Sequence, residues 1–383
     1  MSGVARDADV LVAGGGPAGA ACAIRLARAG RHVLLVEREA GPREKVCGEF
    51  LGADAQACLA ALGIDLPALG AVRITEARIA RRAAHAAFAL PFAAWGLPRS
   101  VLDEALLRAA AAAGATVLRG RSVTDATREG DAWCLRLADG ARLRAPHLVL
   151  ATGKRPLRGF ARAGATEGWI GAKLHLRLRA PLDAVVLLPF AGSYAGLQPS
   201  GDGMANLCAA LAPGAAGEAR DAERFVGSVR AGSPLAAALL GGAQPCMPRP
   251  LTVAGVPYGF LHRDAPAADP ALWRLGDQFA VIPSFLGDGM AMALAGGIAA
   301  GAAIVSGGSA PDFHAGWRRQ LAGPMRIAGL TGFVLRRAPG LFADAVATVP
   351  GLARLVARRT RVIGAERPVP AAAVPGRPMA GLR

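Results

Sequence analysis

The chain has no cysteine pair at CxxC spacing, no clustered histidines, and only three lysines among its 44 basic residues. Each absence closes off a class of protein. The six cysteines (Cys22, Cys47, Cys58, Cys134, Cys208, Cys246) form no paired framework and no ligand spacing, so they read as reduced thiols of a cytoplasmic protein. The six histidines stand singly, and no metal is expected. A formal net charge of +16 would suit nucleic acid, but Lys45, Lys154 and Lys173 are the lysines and the arginines are spread along the whole length. With so much alanine and glycine, that reads as compositional bias, and no nucleic-acid partner is expected.

Long apolar runs are scarce as well. The longest, Met290 to Val305, has 16 residues and several glycines, too short to span a bilayer comfortably. The opening MSGVARDADVLVAGGG lacks the charged-then-apolar layout of a secretory leader. A cytoplasmic protein is expected, with any membrane association confined to its surface. What is abundant is glycine, at 50 residues, in a chain that is 53% hydrophobic and, at 383 residues, long enough for two domains.

The stretch DADVLVAGGGPAGAACAIRLARAGRHVLLVERE predicts strand, tight turn, helix, turn and strand. Val10 to Val12 form a short buried strand, Ala20 to Ala29 a helix ended by Gly30, and Val33 to Val36 a strand closed by Glu37. Between them lies Gly14-x-Gly16-x-x-Gly19, with Pro17 and Ala18 inside the motif. The first glycine permits the turn, the second lets backbone approach a pyrophosphate, and the third lets helix and strand pack closely. The helix start offers free N–H groups and partial positive charge. Glu37, 18 residues beyond Gly19, would accept from ribose hydroxyls and repel a 2′-phosphate, with Arg38 beside it. FAD or NAD is expected.

A second cradle decides between them. In WRLGDQFAVIPSFLGDGMAMALAGGIAAGAA, a strand ending at Leu275 leads to Gly276-Asp277, and Gly287 and Gly289 precede a small-residue helix starting near Met290. Asp277 can bind a sugar-like hydroxyl, and the Gly-x-Gly turn brings a helix N-terminus to another electron-rich group. NAD has no use for a cradle so far downstream. FAD does, because its ribityl chain and isoalloxazine extend away from the adenosine end.

These residues resemble the glutathione-reductase-type FAD fold of the group containing p-hydroxybenzoate hydroxylase and the geranylgeranyl reductases, over roughly residues 8 to 305. The resemblance implies that Glu37 binds the adenosine ribose, Asp277 the ribityl chain, and the helix start at Gly287, Gly289 and Met290 the flavin pyrimidine. It puts Arg99, in LPRSVLDEALLRAAAAAGATV, which resembles the family's Arg-led helix followed by a strand, near the phosphates or ribityl chain; the plainer reading is a surface salt bridge to Asp103. Val123, in a β-meander, would hold adenine through its backbone, and Arg38 and Lys45 complete the expected cofactor contacts. The meander ends in LVLATG, with Thr152 where aromatic hydroxylases carry an aspartate, which weakens a hydroxylase reading.

The stretch GPREKVCGEFLG resembles the geranylgeranyl-reductase loop in which a Cys-Gly pair lies beneath the isoalloxazine. Cys47 is therefore a candidate catalytic group that shapes the site or helps to deliver a proton, with Lys45 favouring a reactive thiol. The alternative is a small packing residue.

The expected class is α/β. A Rossmann-type FAD-binding domain (1–70, 95–164 and 264–306) carries an inserted antiparallel β-sheet substrate domain (71–94 and 165–263), a helical C-terminal region (307–364) and a disordered Pro-rich tail (365–383). SYAGLQP stands where geranylgeranyl reductases have Tyr-x-Trp-x-Phe-Pro; Tyr194 and Pro199 remain, and Gly196 and Gln198 replace large aromatics. That change enlarges or reshapes the pocket. Tyr194 is a candidate substrate contact or a packed strand tyrosine. Trp169, in EGWIG, lacks the Trp-x-Trp-x-Ile-Pro setting of flavin halogenases.

In the C-terminal region, Leu, Val and Phe recur at helical spacing between arginine clusters. A helical cap with solvated arginines is one reading; a peripheral membrane contact or lipid-chain entrance is the sharper one. The leading expectation is an FAD enzyme reducing or dehydrogenating a carbon–carbon bond of a hydrophobic, isoprenoid- or polyketide-like substrate. The alternatives are a monooxygenase of a phenolic or polyketide-like substrate and a non-catalytic FAD electron carrier. With no second GxGxxG, NAD(P)H or another reductant would bind only transiently.

Overall fold

A computed structural model describes residues 6–80, 85–155, 157–162, 168–265 and 267–338, with Phe342, Asp344, Ala345, Gly351 and Arg361 singly. The expected tail at 365–383 lies outside the described residues.

Strand Val10–Ala13 is central to a five-stranded sheet in the order Leu272–Arg274, His147–Leu150, Val10–Ala13, Val33–Glu37, Thr116–Arg119. Every pairing in it is parallel. Such strands are covered on both faces and so read as unbroken apolar runs. Side-chain alternation assigns the two covers. Val10, Val12, Val33 and Leu35 pack against helices Pro17–Arg28, Ala53–Leu62, Arg99–Ala112 and Gly289–Val305. Leu11, Ala13, Leu34 and Val36 pack against the meander strands Val123–Glu129, Ala132–Leu137 and Arg142–Ala145. The downstream strand ends at Arg274, one residue before the expected Leu275.

The two inserted segments, 71–94 and 165–263, here called the roof, contribute to one nine-stranded sheet. Trp169–Arg177, Ala205–Leu211, Ser193–Pro199 and Ala184–Phe190 run antiparallel in that spatial order, and Val72–Ala80 and His85–Gly96 form an antiparallel pair beside them. The sheet is antiparallel, as expected, apart from one pairing. Ala184–Phe190 pairs with Val72–Ala80 in parallel, because the two segments come from separate parts of the chain and no hairpin dictates their direction. Two helices, Ala222–Arg230 and Pro234–Leu240, also interrupt a stretch read as strands. Asp221 and Ser233 cap them through Arg224 N and Ala236 N, and Phe225, Val226, Val229, Ala236 and Leu240 cover the outer face of the sheet.

Helix Gly289–Val305 is apolar nearly all round and buried, as a helix between two layers must be. It packs directly on Pro17–Arg28, since Gly297 and Gly301 present no side chains there. A Cβ on Gly297 would lie 2.3 Å from the Ala18 carbonyl oxygen. Gly297→Ala should therefore destabilise the protein by about 1–3 kcal/mol, outweighing the roughly 1 kcal/mol that alanine gains in helix propensity. At Gly323, in helix Ala310–Arg337, a Cβ would meet nothing within 4 Å, so Gly323→Ala should be neutral or stabilising. Urea unfolding of both variants checks the contrast; equal midpoints would refute the close approach.

Candidate active site

The glycine turn is shaped by what lies beneath it. Gly14 has φ +108°, and a side chain there would meet the Ala151 carbonyl oxygen at 2.4 Å; one on Gly19 would meet the Gly14 carbonyl oxygen at 2.0 Å. Gly16 differs. A Cβ there would touch only Arg99 Nη2, at 3.8 Å, and the residue faces a cavity of about 750 Å3. Gly16 also caps helix Pro17–Arg28 without a side chain, so the helix start presents backbone rather than side chain to that space. Pro17 and Ala18 line the same wall. This is a cradle of the kind a pyrophosphate fills.

Glu37 is only 8% exposed, and its carboxylate accepts from Gly15 N at 2.8 Å and Glu39 N at 3.0 Å. Lys45 turns toward this end, with Nζ 3.9 Å from Glu37 and 3.6 Å from Glu39. That corrects the expectation that Lys45 serves the Cys47 thiol: two carboxylates attract it instead. Lys45 and Arg43 line a hollow of about 10 Å3 beside Glu37. Arg38 pairs with Glu39 at 2.9 Å and borders neither cavity. Val123 starts a meander strand and also lies outside both linings.

At the other end, Asp277 follows the strand in a tight turn, Gly276–Gln278, and its carboxylate accepts from Lys154 Nζ at 3.2 Å. The Asp277 charge raises the Lys154 pKa. Gly287 has φ +75°, and a Cβ there would meet the Phe50 ring at 2.5 Å; Gly289 begins the helix and Met290 is buried behind it. Asp277, Gly287, Gly289 and Met290 all line the large cavity that Gly16 enters. The two cradles, remote in sequence, share one space.

Cys47 lines that space too. Its thiol accepts from Glu49 N at 3.4 Å, and its carbonyl accepts from Asn206 Nδ2 at 2.9 Å. Arg99 lies beside Cys47, with Lys154 also within electrostatic reach of the thiol, and Arg99 Nε and Nη2 donate to Asp103 at 2.7 and 2.8 Å. The salt bridge to Asp103 exists, but it is largely buried rather than on the surface, and it holds the guanidinium at the cavity.

The sequence reading missed the group that organises this wall. Glu49 is fully buried and has φ +62°, a left-handed conformation that strains a non-glycine residue. Its carboxylate accepts from Arg99 N at 3.0 Å, His175 Nε2 at 2.9 Å, the Lys173 ammonium and the Ser200 hydroxyl. Lys173, itself buried, also pairs with Glu44. Glu44, Glu49 and His175 are close enough to suggest a metal, but the Lys173 ammonium already pairs with both carboxylates. A signal was present in WIGAKLHLRL, where Lys173 and His175 put polar groups on one face of a buried strand. The conformation of Glu49 had none.

A second group, His262, Asp264 and His314, is also compact. Here the ring atoms are engaged: His314 Nε2 accepts from Arg274 N at 3.0 Å, and both rings face the Asp264 carboxylate. Burial pushes His314 down to about 4. The cluster fastens the last helix to the strand Leu272–Arg274.

Much of the remaining lining of the large cavity is apolar, with Arg78 and Gln198 among it. Ala77, Ile79, Phe88, Val185 and Leu187 contribute, with Tyr194, whose hydroxyl shares Ser284 Oγ (3.0 Å) with that of Tyr258 (3.2 Å). Leu330, Thr331 and Val334 of helix Ala310–Arg337 form its rim. Leu330, Phe333 and Val334 are the exposed large hydrophobic residues of the described chain, at 70%, 55% and 42%.

Comparison with known proteins agrees with this geometry. A model of the FAD binding domain matches residues 7–172. The menaquinone reductase of Mycolicibacterium smegmatis is 31% identical over 353 residues, covering 81% of this chain and 79% of its own length. The menaquinone reductase of Mycobacterium tuberculosis is 32% identical over 229 residues, covering 52% and 54%. Among solved structures, a flavin-dependent brominase, Bmp2, superposes with TM-score 0.75 at 21% identity, over 93% of both chains. A geranylgeranyl bacteriochlorophyll reductase-like protein from Thermoplasma acidophilum does so with TM-score 0.67 at 20% identity, over 96% and 95%. The fold and cradles are those of an FAD-dependent oxidoreductase. The chain belongs to the menaquinone reductase family of FAD-dependent flavoproteins, and it shares its fold with the brominase and the geranylgeranyl bacteriochlorophyll reductase-like protein.

Two variants test the site. Glu37→Ala should lower FAD affinity by about 1.5–3 kcal/mol, the range for hydrogen bonds to a charged group, while the secondary structure stays intact. Titration of apoprotein with FAD measures this, and unchanged affinity would refute it. Glu49→Gln should cost up to about 3–5 kcal/mol of stability, because it leaves buried Lys173 with only the more exposed Glu44 as counter-charge. Burial works against the Glu49 charge, yet the His175 hydrogen bond and the Lys173 charge hold it down to about 2, from 4.5 when unperturbed. Ionised Glu49 therefore stabilises the fold above pH 4.5, and the gain is lost as pH falls toward about 2. Urea unfolding across that window should show a shallower pH dependence in Glu49→Gln; an unchanged slope would refute the assignment.

Proposed function

We propose that the protein reduces a carbon–carbon double bond in a long apolar substrate of isoprenoid type, such as an isoprenoid quinone. One observation carries the reading: both cofactor cradles and a wall of apolar roof residues bound the same cavity of about 750 Å3, within the 300–1,000 Å3 usual for small-molecule sites. Bound FAD supplies hydride chemistry. The chain's own residues orient and protonate. Saturating a double bond needs a hydride and a proton, and we assign the proton to Cys47, which lines the cavity with Arg99 against its thiol. Gly14, Gly16, Gly19 and Glu37 would hold the adenosine and phosphate end, with Asp277, Gly287 and Gly289 at the ribityl and ring end. NAD(P)H or another reductant would recharge the flavin transiently.

The rim supports delivery from a bilayer surface. On helix Ala310–Arg337, exposed Arg319, Arg326, Leu330, Phe333 and Arg337 recur at three-, four- and seven-residue intervals, so they share one helical face. Asp312, in the first turn, is the helix's only acid. An apolar patch flanked by arginines suits anionic headgroups and acyl chains, and it borders the cavity where a lipid-like substrate would enter. No described helix is long and apolar enough to cross a membrane.

Anaerobic turnover separates this reading from oxygenation. Reduced holoenzyme mixed with a prenylated naphthoquinone under nitrogen should give a product whose tail has gained two hydrogens. A product carrying an added oxygen, formed only in air, would establish the hydroxylase reading instead.

A further inference from the structure

Four basic side chains line the large cavity: Arg78, Arg99, Lys154 and Arg361. Arg78 pairs with Glu76 and Asp183, Arg99 with Asp103, and Arg361 lies over the Phe92 ring at 4.3 Å. Lys154 is less fully engaged. An ammonium offers three N–H donors. Lys154 gives one to Asp277, at 3.2 Å, and no other hydrogen-bond acceptor meets it among the described residues. Its side chain is 29% exposed and borders the cavity, so the remaining donors are accessible there.

The backbone around this lysine is held in place. Thr152 Oγ1 donates to the Arg155 carbonyl at 2.7 Å, and buried Gln278 donates to the carbonyls of Gly153 and Arg155 at 2.7 and 3.0 Å. Arg162 donates to the carbonyls of Gly153 and Lys154. Both partners of the Lys154–Asp277 pair also start beside the first glycine turn. Ala151 and Thr152 lie against Gly14, where a Cβ would be 2.4 Å from the Ala151 oxygen and 3.1 Å from Thr152 N. Gly276, just before Asp277, lies against the first helix, where a Cβ would be 3.1 Å from Ala18 Cβ. Arg99 reaches the same turn at Gly16, and its charge opposes that of Lys154. Two cations that repel each other across a pyrophosphate cradle are reconciled by an anion between them.

We propose that Lys154 binds the FAD pyrophosphate at the edge of the Gly14–Gly19 cradle and screens it from Asp277. A diphosphate and a carboxylate side by side repel, and an ammonium between them attracts both. One N–H stays with Asp277, whose remaining lone pairs serve a ribityl hydroxyl, and the others donate to phosphate oxygens. Lys154 thereby joins the two cradles electrostatically, as the helix packing joins them sterically. The proposal rests on FAD as the cofactor and is independent of the reductase reading.

The test titrates full-length apoprotein with FAD and, separately, with ADP, which carries the diphosphate but neither ribityl chain nor ring. Lys154→Met should weaken both ligands about ten- to a hundredfold, and Lys154→Arg should restore most of the loss. Asp277→Asn should weaken FAD yet leave ADP unchanged or tighter, because it releases the ammonium to the phosphates. Should Lys154→Met lose its fold by circular dichroism, Lys154→Gln takes its place with the same expected losses. Weakened FAD with unchanged ADP would mean that Lys154 acts only through Asp277, and would overturn the proposal. Unchanged affinity for both ligands, or an equal loss of ADP binding in Asp277→Asn, would overturn it too. Unaltered apoprotein that binds neither ligand would sink the FAD reading itself, and this proposal with it.

Discussion

The buried carboxylate of Glu49 is the interaction on which the rest of the site depends. It joins the segment that follows the first βαβ unit to the roof, taking bonds from Arg99 N on one side and from Lys173, His175 and Ser200 on the other. A charge taken out of water is costly unless its pairing is complete, and four donors complete it here. The same residue accepts a strained backbone conformation, which persists because those four bonds over-determine it. Cys47 and Gly48 are fixed at the cavity wall as a consequence, since Glu49 N reaches back to the thiol and Asn206 holds the Cys47 carbonyl.

The remaining architecture follows from close approach. Glycines at 14, 19 and 297 let the first strand, the first helix and the last buried helix come within reach of one another, and each would clash with backbone if it carried a side chain. That contact brings two cradles from opposite ends of the sequence to one cavity. The roof then supplies an apolar wall, and the long C-terminal helix supplies its rim. A cavity built this way favours a cofactor with polar groups along its length and a substrate with few. FAD meets the first half of that description, and the isoprenoid-type substrate we propose would meet the second.

Much of this was legible in the chain. The glycine spacing with its flanking strands, the acid at Glu37, and the second glycine pair after Asp277 are local patterns whose physical requirements are met within a few residues. The strand SYAGLQP was readable for the same reason, because alternation is a local property. Two roof helices were not read, although Asp221 and Ser233 are ordinary helix caps, because the strong β patterning around them set the expectation. Lys45 was assigned to Cys47 on proximity in sequence, whereas two carboxylates compete for it in space.

By itself the sequence determined that an FAD-type βαβ unit forms, that a second cradle exists, and that a strand-rich insertion lies between them. These depend on φ freedom, periodicity and charge over short spans. Tertiary structure alone decided which residues meet: Arg99 with both Asp103 and Cys47, Glu49 with Lys173 and His175. Those meetings join parts of the chain remote in sequence or across neighbouring strands. They are set by the register of the roof strands and the closeness of helix packing, which no short stretch of sequence contains.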